Sequence, residues 1–128
     1  MIYGREDVKT VLKNFGEITL AFSFSFLPPL ILSLFESLSH IYFFALPCVI
    51  SFLIGFALKQ IKTKRPTTLV HAFVVVLLIW IFLPMLGGLP FWLWGKSFLD
   101  SYFESMSALT TTGLSVIWDK MPPSLTFW

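Results

Sequence analysis

Three long apolar stretches alternate with short polar connections along this chain. They run from about Phe15 to Phe35, Ile41 to Leu58 and Leu69 to Met85, the third with an uninterrupted core from Phe73 to Leu83. Each has the length of roughly 17–25 residues that a helix needs to cross a bilayer. Pro28-Pro29 predicts a kink or break in the first helix, because proline lacks an amide donor and clashes with the preceding turn. Pro47 lies near the start of the second. Gly87-Gly88-Leu89-Pro90 predicts that the third helix has ended. A shorter helix is expected from about Phe98 to Leu109. Phe98, Leu99, Tyr102, Phe103, Met106 and Leu109 recur on one face, while Asp100, Ser101, Glu104, Ser105 and Ser107 fall mostly on the other. Ser97 followed three residues later by Asp100 marks its start. At 1.5 Å per residue it would be about 18 Å long, half of a bilayer core.

Where that half-length helix stops, the chain reads Thr110-Thr111-Thr112-Gly113-Leu114-Ser115. Irregular backbone at membrane depth is tolerated only where protein buries it or where it lines a watery path. A helix pointing its C-terminus at the membrane centre presents the negative end of its dipole there, which favours a partly dehydrated cation. The strand that follows can offer successive carbonyl oxygens in place of the ion's water shell. Gly113 frees the backbone to turn its carbonyl toward a pore axis. Oxygen ligands suit hard cations, and the sequence has no soft-metal cluster of Cys and His. The same residues also read as an ordinary helix C-cap with glycine at the left-handed position. Both readings stand on these residues alone.

Composition settles the class. Apolar residues make up 56% of the 128 residues and charged residues 12%, with mean hydropathy +0.82. A soluble domain carries about 25% charged residues. The expected fold class is therefore all-α integral membrane: three transmembrane helices plus a re-entrant pore helix and a filter loop. Charge placement orients it. Arg5, Lys9, Lys13, Lys59, Lys62, Lys64 and Arg65 place seven of nine basic residues on one side, which the positive-inside rule makes cytoplasmic. The N-terminus is then inside, the 36–40 turn outside, and residues 86–128 start from outside. Trp92, Trp94, Trp118 and Trp128 would form an outer aromatic belt. No cleavable signal peptide is evident, since residues 1–13 carry both charges and the apolar stretch after them has spanning length.

The remaining polar residues are read more plainly. Glu104 and Asp100 lie one turn apart on the short helix; Glu104 reads as a vestibule carboxylate or as a strut behind the filter, and Asp100 as a cap. His71 and His40 are expected at the interfaces, and Glu17 beside Lys13 at the inner headgroups. Cys48 is a lone cysteine in an apolar run, so an internal disulfide is excluded. The 59–66 run sets topology and suits anionic lipid headgroups. No Walker loop, dinucleotide fingerprint, zinc spacing or nucleic-acid patch occurs. No catalytic constellation is present either, so neither an enzyme nor a bound cofactor is expected.

Gly88-Leu89-Pro90-Phe91, FLDSYFESMS from Phe98 to Ser107 and LTTTGLS from Leu109 to Ser115 together resemble the first pore repeat of TrkH/KtrB-type potassium uptake proteins. In that family four repeats of helix, pore loop and helix surround one ion path. The resemblance implies that residues 1–66 are a cytoplasmic segment with a peripheral helix pair. Residues 67–128 would be the first repeat, stopping before its inner helix, with Ser124 to Trp128 as the approach to it. It further implies that K⁺, the transported ion, meets the carbonyls of Thr110, Thr111, Thr112 and Gly113 in one quarter of a filter. Leu114, Ser115 and Glu104 would support that loop. Membrane lipids, the remaining repeats in the same or another chain, a dimer partner and a cytosolic nucleotide-binding subunit are the implied partners, at a prokaryotic plasma membrane. The alternatives are a non-conducting membrane assembly protein, with the short helix lying on the outer leaflet, and an inactive truncated product.

Overall fold

The computed structural model describes residues 4–128, so residues 1–3 of the expected cytoplasmic segment lie outside the described residues. All regular structure among the described residues is helical. Helices α1 (Arg5–Ser23) and α2 (Leu27–Glu36) join through a 3-10 turn at Phe24–Phe26 into one rod of 32 residues. The 3-10 turn Leu38–His40 leads into α3 (Ile41–Lys59), and α4 (Leu69–Leu93) follows a loop. Then come α5 (Phe98–Leu109) and the single turn α6 (Pro123–Phe127). The rod, Leu38–Lys59 and Leu69–Leu93 are the three segments long and apolar enough to cross a membrane. Many of their large apolar side chains, among them Leu53, Phe73, Leu77 and Ile81, stay exposed on the bundle surface. Large apolar side chains left outside the protein core suit a hydrocarbon solvent rather than water. This is an all-helical membrane protein.

Contacts set the directions. Asp7 meets His71 and Phe15 meets Phe82, so α1 and α4 run parallel. Gly16 faces Leu58, Gly55 faces Leu20 and Cys48 lies beside Ser23, so α3 returns antiparallel to α1. One core cluster holds Val11, Phe15 and Val75 near the ends where α1 and α4 begin. The larger one gathers Phe26, Phe43, Phe44, Phe91, Ile117 and Leu125.

The kink or break expected at Pro28-Pro29 takes the form of a change of helix type, one turn earlier, within a continuous rod. Pro28 and Pro29 occupy the first turn of α2, where missing amides are harmless, and the chain tightens into 3-10 geometry just before them. The expected end of the third helix is corrected. Helix α4 continues through Gly87-Gly88-Leu89-Pro90 to Leu93. Its stop is a Schellman motif instead: Gly95 takes φ 100°, its amide bonds to Trp92 O and the Lys96 amide to Phe91 O. The glycine pair serves a close crossing. A Cβ on Gly87 would stand 2.4 Å from Ser105 Oγ, and one on Gly88 2.7 Å from Ser101 O. Small residues let helix backbones approach in this way.

Candidate functional site

Helix α5 has the expected bounds, Phe98–Leu109, and Ser97 Oγ accepts its Asp100 amide at 3.1 Å. It lies across the later half of α4. Ser101 and Ser105 fit over the glycine pair, and the Tyr102 hydroxyl comes within 3.5 Å of Trp80 O, a carbonyl that Pro84 cannot serve. The far end of α5 sits level with the middle of the α1–α2 rod. There Ala108 and Leu109 line a cavity of about 240 Å³ together with Phe22, Ser25, Phe91 and Trp128.

Helix α5 ends in a second Schellman motif. The Thr111 amide donates to Ala108 O at 3.0 Å and the Thr112 amide to Ser107 O at 2.9 Å. The left-handed residue is Thr111, at φ 55°, rather than the glycine that the cap reading put there; Gly113, at φ 71°, is a second left-handed residue. A β-branched residue in that region is strained by about 1–2 kcal/mol. Such strain persists only where its surroundings impose it, and it concentrates at functional sites. The Thr110 hydroxyl donates to Met106 O at 2.8 Å and lies 2.7 Å from the Thr112 hydroxyl. Residues 110–116 are all exposed. Among the described residues no backbone amide donates to the carbonyl oxygens of Thr110 to Gly113.

Glu104 holds what comes next. Its two carboxylate oxygens accept the Ser115 hydroxyl and, at 3.1 Å, the Val116 amide. These bonds tie the residues after Gly113 to α5. Ser115 Oγ also accepts the Ile117 amide at 3.3 Å. The structure thus brings Glu104 and Ser115 together and leaves Leu114 exposed without joining them. A cavity of about 260 Å³ lies behind the loop, lined by Glu104, Ser107, Gly113 and Ser115 among others.

Two polar centres escaped sequence reasoning. Asp7 is buried and accepts Arg65 Nη1 at 2.8 Å, the Gly4 amide at 2.9 Å and His71 Nε2 at 3.0 Å. The Thr68 amide donates to His71 Nδ1 at 3.1 Å. That fixes the tautomer, with the ring proton on Nε2 facing Asp7. His71 stands at the start of α4 as expected, yet it is buried within the protein. At the other end of the rod, Glu36 accepts the Ser124 amide and hydroxyl and lies 3.1 Å from His40 Nδ1. Their separations of 64 and 88 residues left no local signal to read. Trp128 is corrected as well. Its ring stacks on Phe26 at 4.4 Å and its indole N–H donates to Gly87 O at 2.7 Å, so it packs half-buried against the bundle core rather than standing in a belt. Trp118, 90% exposed, remains outside.

Three apolar rods, a half-length helix crossing one of them and an exposed hydroxyl-rich loop at its end make up an all-helical membrane protein. The sequence comparisons agree. A cation transporter of Methanocaldococcus jannaschii, itself uncharacterized, is 30% identical over 128 residues, 97% of this chain and 27% of the relative. The Trk system potassium uptake protein TrkG of Escherichia coli is 30% identical over 119 residues, 88% of this chain and 24% of that protein. TrkH of Vibrio parahaemolyticus is 43% identical over 61 residues. No family model matches. The chain belongs to the Trk-type potassium uptake family and spans about a quarter of the length of the curated relatives it matches.

Proposed function

We propose that this chain contributes one quarter of a potassium filter to a Trk-type transporter, through the backbone carbonyls of Thr110, Thr111, Thr112 and Gly113. The observation that carries the reading is the end of α5. A half-length helix is capped by a strained threonine, and an exposed loop with unengaged carbonyls follows it. The helix dipole adds roughly half an elementary negative charge at that end. The Thr110 and Thr112 hydroxyls already bond each other, which leaves the carbonyls as the ion's ligands. Ser115 and Glu104 support the loop.

The other three quarters of each oxygen ring come from further repeats, in the same or another chain, because one loop cannot surround an ion. Conduction is passive or gated, with K⁺ as the cargo. The protein sits in a prokaryotic plasma membrane with its N-terminus and its basic loop in the cytoplasm. A dimer and a cytosolic nucleotide-binding subunit complete the assembly by family likeness.

Rubidium uptake by the native gene product carrying this sequence tests the filter. Gly113→Asp should abolish it, since a carboxylate would stand beside the carbonyl line and trap or block the ion. A Cβ at Gly113 meets no other atom within 4 Å, so the cost to the fold is confined to a left-handed φ of 71°, which Asp adopts more readily than most residues. Unchanged uptake in that variant would sink the assignment.

A further inference from the structure

The segment after the candidate filter is clamped onto the first helical hairpin, and we propose that Glu36 is a positioning residue for the filter loop. The proposal rests on the filter reading above. Glu36 closes α2, and its side chain is only 14% exposed. One carboxylate oxygen accepts the Ser124 amide and the other accepts the Ser124 hydroxyl at 2.9 Å. Ser124 is fully buried and lies in the single turn α6, whose first amides have no helical partner of their own. Glu36 therefore serves α6 as a cap supplied from 88 residues away. Charge-assisted bonds of this kind are about twice as strong as neutral ones.

Two further contacts bind the same strand to the same hairpin. Ile117, four residues beyond Gly113, is buried in the cluster that contains Phe26 and Phe44. Trp128 stacks on Phe26. The strand between Gly113 and α6 has no helical or sheet bonding of its own, so its position is set by what grips it. Glu104 of α5 grips its start, at Ser115 and Val116. Glu36 grips its end. A binding constellation must be held to about 0.5 Å to work, and the hairpin supplies one of the carboxylate grips that hold this one, beside Glu104 at its start and the Asp119–Lys96 ion pair along it.

Two readouts test the proposal in the native gene product carrying this sequence. The first is the rate at which a methanethiosulfonate reagent labels a Thr112→Cys variant, which follows the loop without requiring transport. The second is the ratio of rubidium to sodium uptake in the same Glu36 backgrounds without the cysteine. Glu36→Leu should shift the labelling rate several-fold and lower the uptake ratio. Glu36→Gln should restore both toward the parental values, because its oxygen still accepts the Ser124 amide and its amide donates to the Ser124 hydroxyl. A Glu36→Leu protein that reaches the membrane with both readouts unchanged overturns the proposal. Should that variant fail to fold, Ser124→Ala loses the hydroxyl bond alone, and unchanged labelling there overturns it equally. Gly113→Asp separates the two readings. If that variant is inactive while Glu36→Leu changes nothing, only the Glu36 role falls. If it transports normally, the filter reading falls whatever Glu36 does.

Discussion

Where α1 and α4 begin, a buried carboxylate accepts bonds from three donors in three segments: Gly4, Arg65 and His71. Where α5 ends, the carbonyls of Thr110 to Gly113 accept no backbone amide of the described residues, and all four residues are exposed. Thr10 meets Thr63 at 2.7 Å and Asn14 meets Thr67 at 2.9 Å beside the first centre, so the 59–68 loop is tied down along its length. The second centre holds a β-branched residue at positive φ. Buried polar groups are costly unless satisfied, and satisfied ones specify a unique packing. Groups left open and strained are available to something else. The first centre ties three segments to one another, and the second leaves its carbonyls open.

The sharpest break of this contrast is a pair of substitutions with opposite readouts. Asp7→Leu removes a buried acceptor shared by the Gly4 amide, Arg65 and His71, so it should lower Tm more than any change in the loop, measured by scanning fluorimetry in detergent. Gly113→Asp should do the reverse, costing only about the 1 kcal/mol that a side chain pays at positive φ and so lowering Tm far less, while uptake is lost. If Asp7→Leu melts like the parent, the inner centre is not structural.

The next effect in size concerns the crossing that carries α5. Gly88→Val forces a side chain toward Ser101 O, where a Cβ alone would stand 2.7 Å away. Overpacking of this kind costs about 1–3 kcal/mol, and Tm should fall accordingly. An unchanged Tm would mean that α5 is not held by close approach. The smallest effect has the opposite sign. Thr111→Gly removes the left-handed strain and should stabilise the protein by about 1 kcal/mol, net of the glycine's greater freedom when unfolded. A loss of stability would show that Thr111 is held there without strain.

Much of this molecule was legible from the chain alone. Apolar run lengths gave three spans, because a helix exposed to hydrocarbon has to be apolar almost all round. The bounds of α5 followed from Ser97 and the spacing of Phe98 to Leu109, since a cap and a 3.6-residue period are local properties. What failed was non-local. Gly87-Gly88-Leu89-Pro90 reads as a breaker until Ser101 and Ser105 are seen lying against it, when the same glycines become the floor of a crossing. Glycine was the natural choice for the left-handed cap, and the chain uses Thr111. Trp128 looked interfacial because its type favours interfaces, but Gly87 O and Phe26 draw it inward. Asp7 with His71, and Glu36 with Ser124, join positions that no short window contains.

The prolines of α4 have a mechanical consequence. Pro84 and Pro90 each lack the amide that would close a bond to the carbonyl four residues earlier, at Trp80 and Leu86. Two rungs of the ladder are therefore missing on either side of the glycine pair, in the stretch that carries α5. That stretch is softer to bending than its length suggests, and its stiffness is borrowed from the helix lying across it and from the indole that grips Gly87. Rigidity in this half of the bundle belongs to the α4–α5 pair as a unit, so anything that lifts α5 also loosens the beam beneath it.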